Sequence, residues 1–266
     1  MLKKIICILL DILFFFSGSK RWKLKFLVQN FLEKKNFIFV HRNKRIVFKV
    51  DSEHCLKRYK SILSKEKKTI SWIDNMKRND IFWDIGANIG IYSIYAAKIN
   101  NLKVISFEPI VSSYHTLIKN IKENHLQKKI FAYPLALSNF NKDGYIFFES
   151  DHSGSAGHEL GINSRNHNKK FQTILSLRPD FFIVNFNKAI PSHIKIDTDG
   201  NELSILRSMV KILKKNKLKS LCIENQFDKM AKIRENYIIN FLKKFRFILK
   251  DKENLVAGYN MFFFKK

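Results

Sequence analysis

Between residues 81 and 90 the chain reads IFWDIGANIG, an apolar run that carries one aspartate near its end and then two glycines spaced four apart. A short apolar run closed by a glycine turn predicts a buried strand, here with an acid at its carboxyl tip. After the turn, IYSIYAAKI predicts a helix and KVISFEP a second strand, which ends in Glu108. VSSYHTLIKNIKEN then sets Tyr114, Leu117, Ile118 and Ile121 on one helical face. The same alternation returns with SHIKIDTDG, a strand ending at Asp197, and with NELSILRSMVKILKK, whose Leu203, Leu206, Val210 and Leu213 predict a core-facing stripe. KSLCIEN is another strand with an acid at its end, Glu224, and NYIINFLKKF, FRFILK and GYNMFFFKK predict a closing helix and two strands. Strand and helix alternating in this way imply an α/β fold with a mostly parallel central sheet and helices on both faces.

Other segments break the alternation. IFAYPLALS and GYIFFES predict further strands, and the polar stretch from 151 to 170 predicts a long loop, which in a compact domain is more often functional than idle. Upstream, NFIFVHRNKRIVFKV reads as a hairpin, and SEHCLKRYKSILSK and KTISWIDNMKR as helices. The chain therefore divides into an N-terminal helical and hairpin extension, residues 1–67, and a domain over 68–266. The first residues, MLKKIICILLDILFFFSGSKR, hold an apolar run flanked by Lys3, Lys4, Lys20, Arg21, Lys23 and Lys25 and interrupted by Asp11. That run is shorter than the roughly 20 residues a bilayer span needs. A packed or self-associating helix, attachment at an anionic membrane interface, and a signal or anchor are all compatible with it.

Composition sharpens this picture in two places. Lys and Arg total 49 against 23 Asp and Glu, a net charge of +26, which suits nucleic acid, an anionic membrane surface or an acidic substrate. An A/T-rich coding bias would also enrich Lys, Ile, Asn and Phe, so the charge alone names no partner. Cys7, Cys55 and Cys222 form no close pair, which argues against a disulfide framework or cysteine metal site and places the chain in a reducing compartment. The expected location is cytoplasmic, with a peripheral contact at the inner face of the membrane through the N-terminus.

The strand tips carry the chemistry. Asp84, Glu108 and Asp197, with Glu224 as a fourth, converge where open α/β sheets bind their ligands. Gly86 and Gly90 permit a sharp turn into a helix whose free N–H groups face a ligand. A dinucleotide fingerprint would need glycine at 88 and 91 as well, where Asn88 and Ile91 stand, and no lysine and hydroxyl residue follow as a phosphate-binding loop requires. An acid at Asp84 suits a cationic ligand better than a diphosphate, while Glu108, 24 positions later, can accept both hydroxyls of a ribose. S-adenosylmethionine has both features.

DIGANIGIYSIYAA, VISFEP and HIKIDTDGNELSIL together resemble the signature blocks of the FkbM-type S-adenosylmethionine-dependent methyltransferases, from about Lys68 to the C-terminus. The resemblance implies a Rossmann-like class I methyltransferase fold. It places Asp84, Gly86, Ala87, Asn88 and Gly90 at the methionine end of the cofactor, Glu108 at the ribose and Ser138 near the adenine. The family's third block reads lysine, hydrophobic, aspartate, hydrophobic, glutamate, glycine, and here Thr198 and Asp199 depart from it. Family members mostly methylate hydroxyls of sugars or of glycosylated and polyketide products, so the resemblance implies a sugar or glycan acceptor, small or lipid-linked.

Methyl transfer from a sulfonium needs an aligned nucleophile and, for a hydroxyl, a place for its proton. Asp197 is the expected group to position or deprotonate the acceptor, with Lys195 and Glu224 as further candidates. His152, His158 and His167 of the long loop are alternative bases. Asp197, Asp199, Glu202 and Glu224 could hold a divalent metal, but no spacing demands one and none is expected. Two other readings stay open: an RNA methyltransferase, disfavoured because no Asn/Asp-Pro-Pro-aromatic motif or exposed catalytic cysteine follows the third strand, and a non-catalytic, membrane-associated nucleoside-binding protein.

Overall fold

The computed structural model of the protein describes residues 36–148, 150, 152–155, 157–161 and 170–266. The expectations for the apolar N-terminal run and for His167 lie outside those residues. Of the described strands, β1 (Asn36–His41) and β2 (Lys44–Lys49) form the hairpin expected from the sequence, turning through Arg42 and Asn43 at positive φ. Helices α1 (Glu53–Lys60) and α2 (Lys67–Asp74) follow it.

The central sheet has seven strands. They are β3 (Ile81–Ile85), β4 (Lys103–Phe107), β5 (Ile130–Tyr133), β10 (His193–Ile196), β11 (Ser220–Gln226), β12 (Phe247–Asn254) and β13 (Gly258–Lys265), in the order β12-β13-β11-β10-β3-β4-β5. Every pairing from β11 to β5 is parallel, and β13, antiparallel to both β11 and β12, is the one strand of the seven that runs the other way, giving the mostly parallel sheet that the resemblance to class I methyltransferases implies. One face is covered by α1, α2, α3 (Ile91–Ile99) and α4 (Val111–Glu123), whose Tyr59, Ile73, Ile94 and Leu117 join one buried cluster. The other face is covered by α5 (Pro179–Asn185), α6 (Glu202–Arg207), α7 (Val210–Leu213) and α8 (Ala231–Lys243). Period-2 alternation assigns the faces: Phe82 belongs to the first cluster, and Trp83 and Ile85 to the second.

Two expectations need correction. NELSILRSMVKILKK is not one helix but α6 and α7, broken at Ser208, whose hydroxyl donates to the carbonyls of Ser138 and Ile205. Buried Asp180 starts the second piece by accepting the N–H groups of Lys211 and Ile212 at 2.9 and 3.1 Å. The break rotates the stripe, so that Ile205, Met209 and Ile212 are buried with Leu206 and Leu213, while Leu203 and Val210 are half-buried. The stretch 151–170 is not wholly loop either, since it contains the short strand β8 (Glu159–Gly161). With β6 (Ala136–Leu137), β7 (Lys142–Phe148) and β9 (Lys170–Leu177) it builds a second, four-stranded sheet in the order β6-β9-β7-β8.

The hairpin and α1 pack into the first core cluster through Ile46, Phe48, Cys55 and Tyr59. Two buried asparagines on and beyond α4 hold it there. Asn120 Oδ1 accepts the Lys49 N–H at 2.8 Å, and Asn124 both accepts from Val47 N at 2.9 Å and donates to Val47 O at 2.7 Å. Among the described residues no helix is long and apolar enough to cross a membrane. Because Asn124→Ala leaves two buried backbone groups of β2 without partners, we expect a loss of about 2–4 kcal/mol in urea denaturation. A change under about 0.5 kcal/mol would show that the hairpin is held by its apolar contacts alone.

Candidate functional site

The glycine turn after β3 is fixed by close approach. Gly86 has φ +80, and a Cβ built there would sit 1.7 Å from the carbonyl oxygen of Asp197 at the tip of β10. Gly90, at φ +83, begins α3, where a Cβ would meet Leu117 at 2.3 Å. Between them Asn88 adopts φ +50, a conformation asparagine tolerates better than most side chains. Its N–H donates to Glu108 Oε2 at 2.7 Å, and Glu108 Oε1 accepts from Ile110 N at 2.8 Å. Two strand tips are thus joined through one carboxylate. Burial pushes Glu108 up to about 7, with the two backbone N–H bonds acting against that rise.

Glu108 lies in an open cleft with about 720 Å³ of free space. One wall is apolar, formed by Ile110, Leu135, Leu137, Ile146 and Leu160, and the other polar, formed by Gly86, Asn88, Asp197 and Thr198. A second cleft of about 480 Å³ adjoins it and shares Arg58, Gly86, Asn88 and Asp197. Lys65, Glu66, Ala87 and Tyr92 also line it.

Asp197 stands where the clefts meet. Lys195, fully buried one pleat below, donates to its Oδ2 at 2.5 Å and lies 4.8 Å from the centre of the Tyr92 ring. Burial would raise the Asp197 carboxyl, but the Lys195 ammonium and a hydrogen bond from Glu224 hold it well below the usual carboxylate range. Burial would lower Lys195, yet the charges of Asp197 and Glu66 raise it above the usual lysine value. Glu224 is raised by the Asp197 charge first and by burial second, so it carries the proton of the pair. Lys195, Asp197 and Glu224 are brought together at neighbouring strand ends, with Lys195 and Asp197 as an ion pair and Glu224 beside them.

Asp84 and Ser138 sit differently. Asp84 is buried beneath the turn, where it accepts from Ser93 Oγ at 2.5 Å, and it is absent from the lining of both clefts. Burial raises its pKa, and Lys195 and Ser93 act against that shift. The Ser138 hydroxyl is buried against Ser176 Oγ at 2.5 Å, so the cleft is met by the preceding residues Leu135 to Leu137 rather than by Ser138.

The third block folds around Glu202, which accepts from Thr198 N, Thr198 Oγ1 and Gly200 N at 2.9, 3.0 and 3.2 Å. This turn aims Asp199 outward at φ +54. Its Oδ2 accepts the N–H groups of Gly157 and His158 at 2.9 and 3.1 Å, and Gln226 donates to Oδ1. The same loop is held by Arg58 through Gly154 O at 2.7 Å and by Asn88 through Ser155 O at 2.8 Å. His158 consequently lines the first cleft, whereas His152 is exposed. Tyr92 comes from the first block, on α3 just after the turn, but Arg58, Lys65 and Glu66 carried no motif in the sequence, and only the hairpin-led folding of α1 and the segment after it over the turn brings them to the site. Among the described residues no group of three or more His, Cys, Asp or Glu side chains is arranged to hold a metal.

The donor set fits S-adenosylmethionine. The apolar wall suits a purine, and Glu108 keeps lone pairs beyond its two backbone bonds for ribose hydroxyls. In the second cleft Arg58, which both clefts share, and Lys65 suit a carboxylate, and Glu66 an ammonium.

Comparison with known proteins gives the family. The methyltransferase FkbM domain matches residues 84–250. The hexuronic acid methyltransferase AglP of Haloferax volcanii is 26% identical over 143 residues, covering 53% of this chain and 54% of that protein. The chain thus matches about half the length of that relative. Among solved structures, the precorrin-6y C5,15-methyltransferase of Geobacter metallireducens gives a TM-score of 0.46 at 11% identity, covering 76% of this chain and 87% of that one. TrmK of M. capricolum, solved with S-adenosyl-homocysteine, gives 0.44 at 13%, covering 75% and 68%. On the extent of the family match, with the class I sheet order and a fitting site beside it, the chain belongs to the FkbM methyltransferase family and its cofactor is S-adenosylmethionine.

Proposed function

We propose that the protein transfers a methyl group from S-adenosylmethionine to a hydroxyl of a sugar or glycan. The observation that carries this reading is Asp197, held ionised by Lys195 at the junction of the two clefts. The hexuronic acid methyltransferase named above supports the acceptor class. Bound cofactor supplies an electrophilic methyl on a positively charged sulfur; the chain supplies alignment. Glu108 takes the ribose, Arg58, Lys65 and Glu66 take the aminoacyl end, and Asp84 acts from beneath by holding the turn through Ser93. Gly90 seats α3 close against Leu117, and Ala87 lines the second cleft.

A carboxylate with so low a pKa is a weak base but a good hydrogen-bond acceptor. Asp197 therefore orients the hydroxyl lone pair and receives its proton only as the new bond forms. Lys195 fixes that carboxylate, and Glu224 supplies the neighbouring proton that spreads its charge. The acceptor is a glycan, small or lipid-linked, and a contact of the basic N-terminal run with an anionic membrane belongs to the same proposal. An RNA acceptor is less well served, because the acids cluster at the cleft, where a polyanion would meet them.

Three measurements test this. Calorimetric titration should show S-adenosylmethionine binding to the wild type and none to an Asp84→Ala, Glu108→Ala double variant of intact fold; equal binding by both would remove the assigned site. Asp197→Asn should lower turnover on a uronic-acid-containing glycan by about 10²-fold with cofactor affinity unchanged; full turnover would refute the role given to Asp197.

The third concerns pH. Glu108, raised to about 7, is largely protonated in the free protein below that pH. Ribose hydroxyls donate to its ionised form, so cofactor affinity should rise from pH 6 to 8 in the wild type and stay flat in Glu108→Gln. Without cofactor the sign reverses. A raised carboxyl pKa favours the folded state at low pH, and that contribution, at most about 3 kcal/mol, is lost as pH rises from the unfolded value through about 7. A wild type and variant with parallel pH profiles would show that Glu108 does not titrate there.

A further inference from the structure

One group of the chain's lysines and arginines gathers away from the cleft. Parallel pairing places the start of β11 at the end of the sheet opposite the acidic strand tips, and the antiparallel register brings the end of β13 and the start of β12 to the same place. There Lys219, Arg246, Lys265 and Lys266 line a pocket with Asn216 and Leu218. Backbone bonds fix their spacing: Lys265 N donates to Lys219 O and Lys266 N to Arg246 O, each at 2.8 Å. Exposed Lys214, Lys215 and Lys217 precede the pocket in the chain, and Lys243 and Lys244 end α8 beside it.

The stretches 211–222, 240–250 and 258–266 that build this end contain no Asp or Glu. Among the described residues, the side-chain carboxylate paired with a cation of the pocket is Asp80, which is bonded to Lys219 and to His193. Lys265 is drawn inward, its ammonium donating to the carbonyls of Leu213 and Lys215 and lying over the Phe247 ring. Among the described residues Arg246 and Lys266 have no acidic partner.

A second observation singles out Arg246. It follows α8 at φ +69, the left-handed position that closes helices and that glycine fills most easily. The chain keeps an arginine there, in a conformation that costs backbone strain. Like charges held together in a concave, partly apolar pocket focus field lines on an incoming anion, and a guanidinium offers a fork of donors matched to phosphate oxygens.

We infer that this pocket is a binding site for a multivalent phosphate group, with Arg246 as its fork and Lys219 and Lys266 as flanking charges. The phosphate comes either from a soluble oligophosphate or from a lipid headgroup. The site is separate from the cofactor cleft, so its occupancy does not depend on the methyltransferase reaction.

The test uses the full chain and two probes: sodium tripolyphosphate by calorimetry, and co-sedimentation with vesicles of equal parts phosphatidylcholine and phosphatidylglycerol, set against phosphatidylcholine alone. Arg246→Gly removes the charge and relieves the strain, so this variant should melt no lower than the wild type while binding at least about tenfold more weakly. Lys266→Gln provides an independent loss of charge. Wild-type binding to tripolyphosphate identifies a soluble ligand, and binding to the anionic vesicles alone identifies a headgroup; either supports the site when both variants weaken it. No wild-type binding to either probe, or variants that bind as the wild type does, would overturn it. S-adenosylmethionine affinity, measured on the same samples, should be unchanged, which separates this outcome from the fate of the cofactor assignment.

Discussion

The closeness of Gly86 to the carbonyl of Asp197 is the constraint on which the functional end of the molecule depends. With room for no side chain between them, the turn after β3 and the tip of β10 stand against one another. The Asp197 N–H donating to Ile85 O at 3.0 Å continues the ladder to that point. From this contact the rest follows. Gly86 leads into Asn88, whose N–H binds Glu108, and Asp197 leads into the Glu202-braced turn that carries Asp199. A β-carbon at 86 would separate the strand tips and, with them, every carboxylate that the cleft presents.

Carboxylates so close together would repel, and the structure resolves that repulsion by three different means. Asp84 is buried and its raised pKa is moderated by Ser93 and Lys195. Asp197 takes the charge of Lys195, while Glu224 keeps a proton. Asp199 and Glu202 are spent on backbone N–H groups. Only one of these acids, Asp197, offers a charged oxygen to the junction of the clefts, which is why a chain with so many acids at its strand tips has one clear candidate for contact with the acceptor.

How much of this was legible depended on the range of the signal. The strands ending at Asp84, Glu108, Asp197 and Glu224 showed as local apolar runs, and their parallel direction follows from alternation with helices, whereas their order in the sheet did not show. The break at Ser208 was not legible, because it depends on Asp180 and Ser138, which are distant in sequence, and the uninterrupted hydrophobic spacing reads as one helix. Ser138 could be placed after its strand but not oriented, since its hydroxyl is taken by Ser176 on β9, a sheet neighbour of β6 that is distant in sequence. Arg58 and Lys65 lie in ordinary basic, helix-like sequence, and only the docking of the hairpin by Asn120 and Asn124 brings them over the turn.

That docking bears on why an N-terminal segment with no motif of its own matters to the site. Arg58 binds loop carbonyls at Gly154 and Ser155 and also faces both clefts, so one side chain couples α1, the loop carrying His158 and the cofactor region. Asp199 holds the same loop from the opposite side by its N–H groups at 157 and 158. A donor grips carbonyls on one flank and an acceptor grips N–H groups on the other, which fixes the direction of the loop backbone as well as its position. An aspartate suits this task better than the glutamate usual at that position: with one methylene fewer it has less side-chain freedom to lose in holding two adjacent N–H groups. At Asp199 the departure from the family's third block is thus accounted for by the loop it holds, and Asp197 two residues earlier keeps its bond to Lys195.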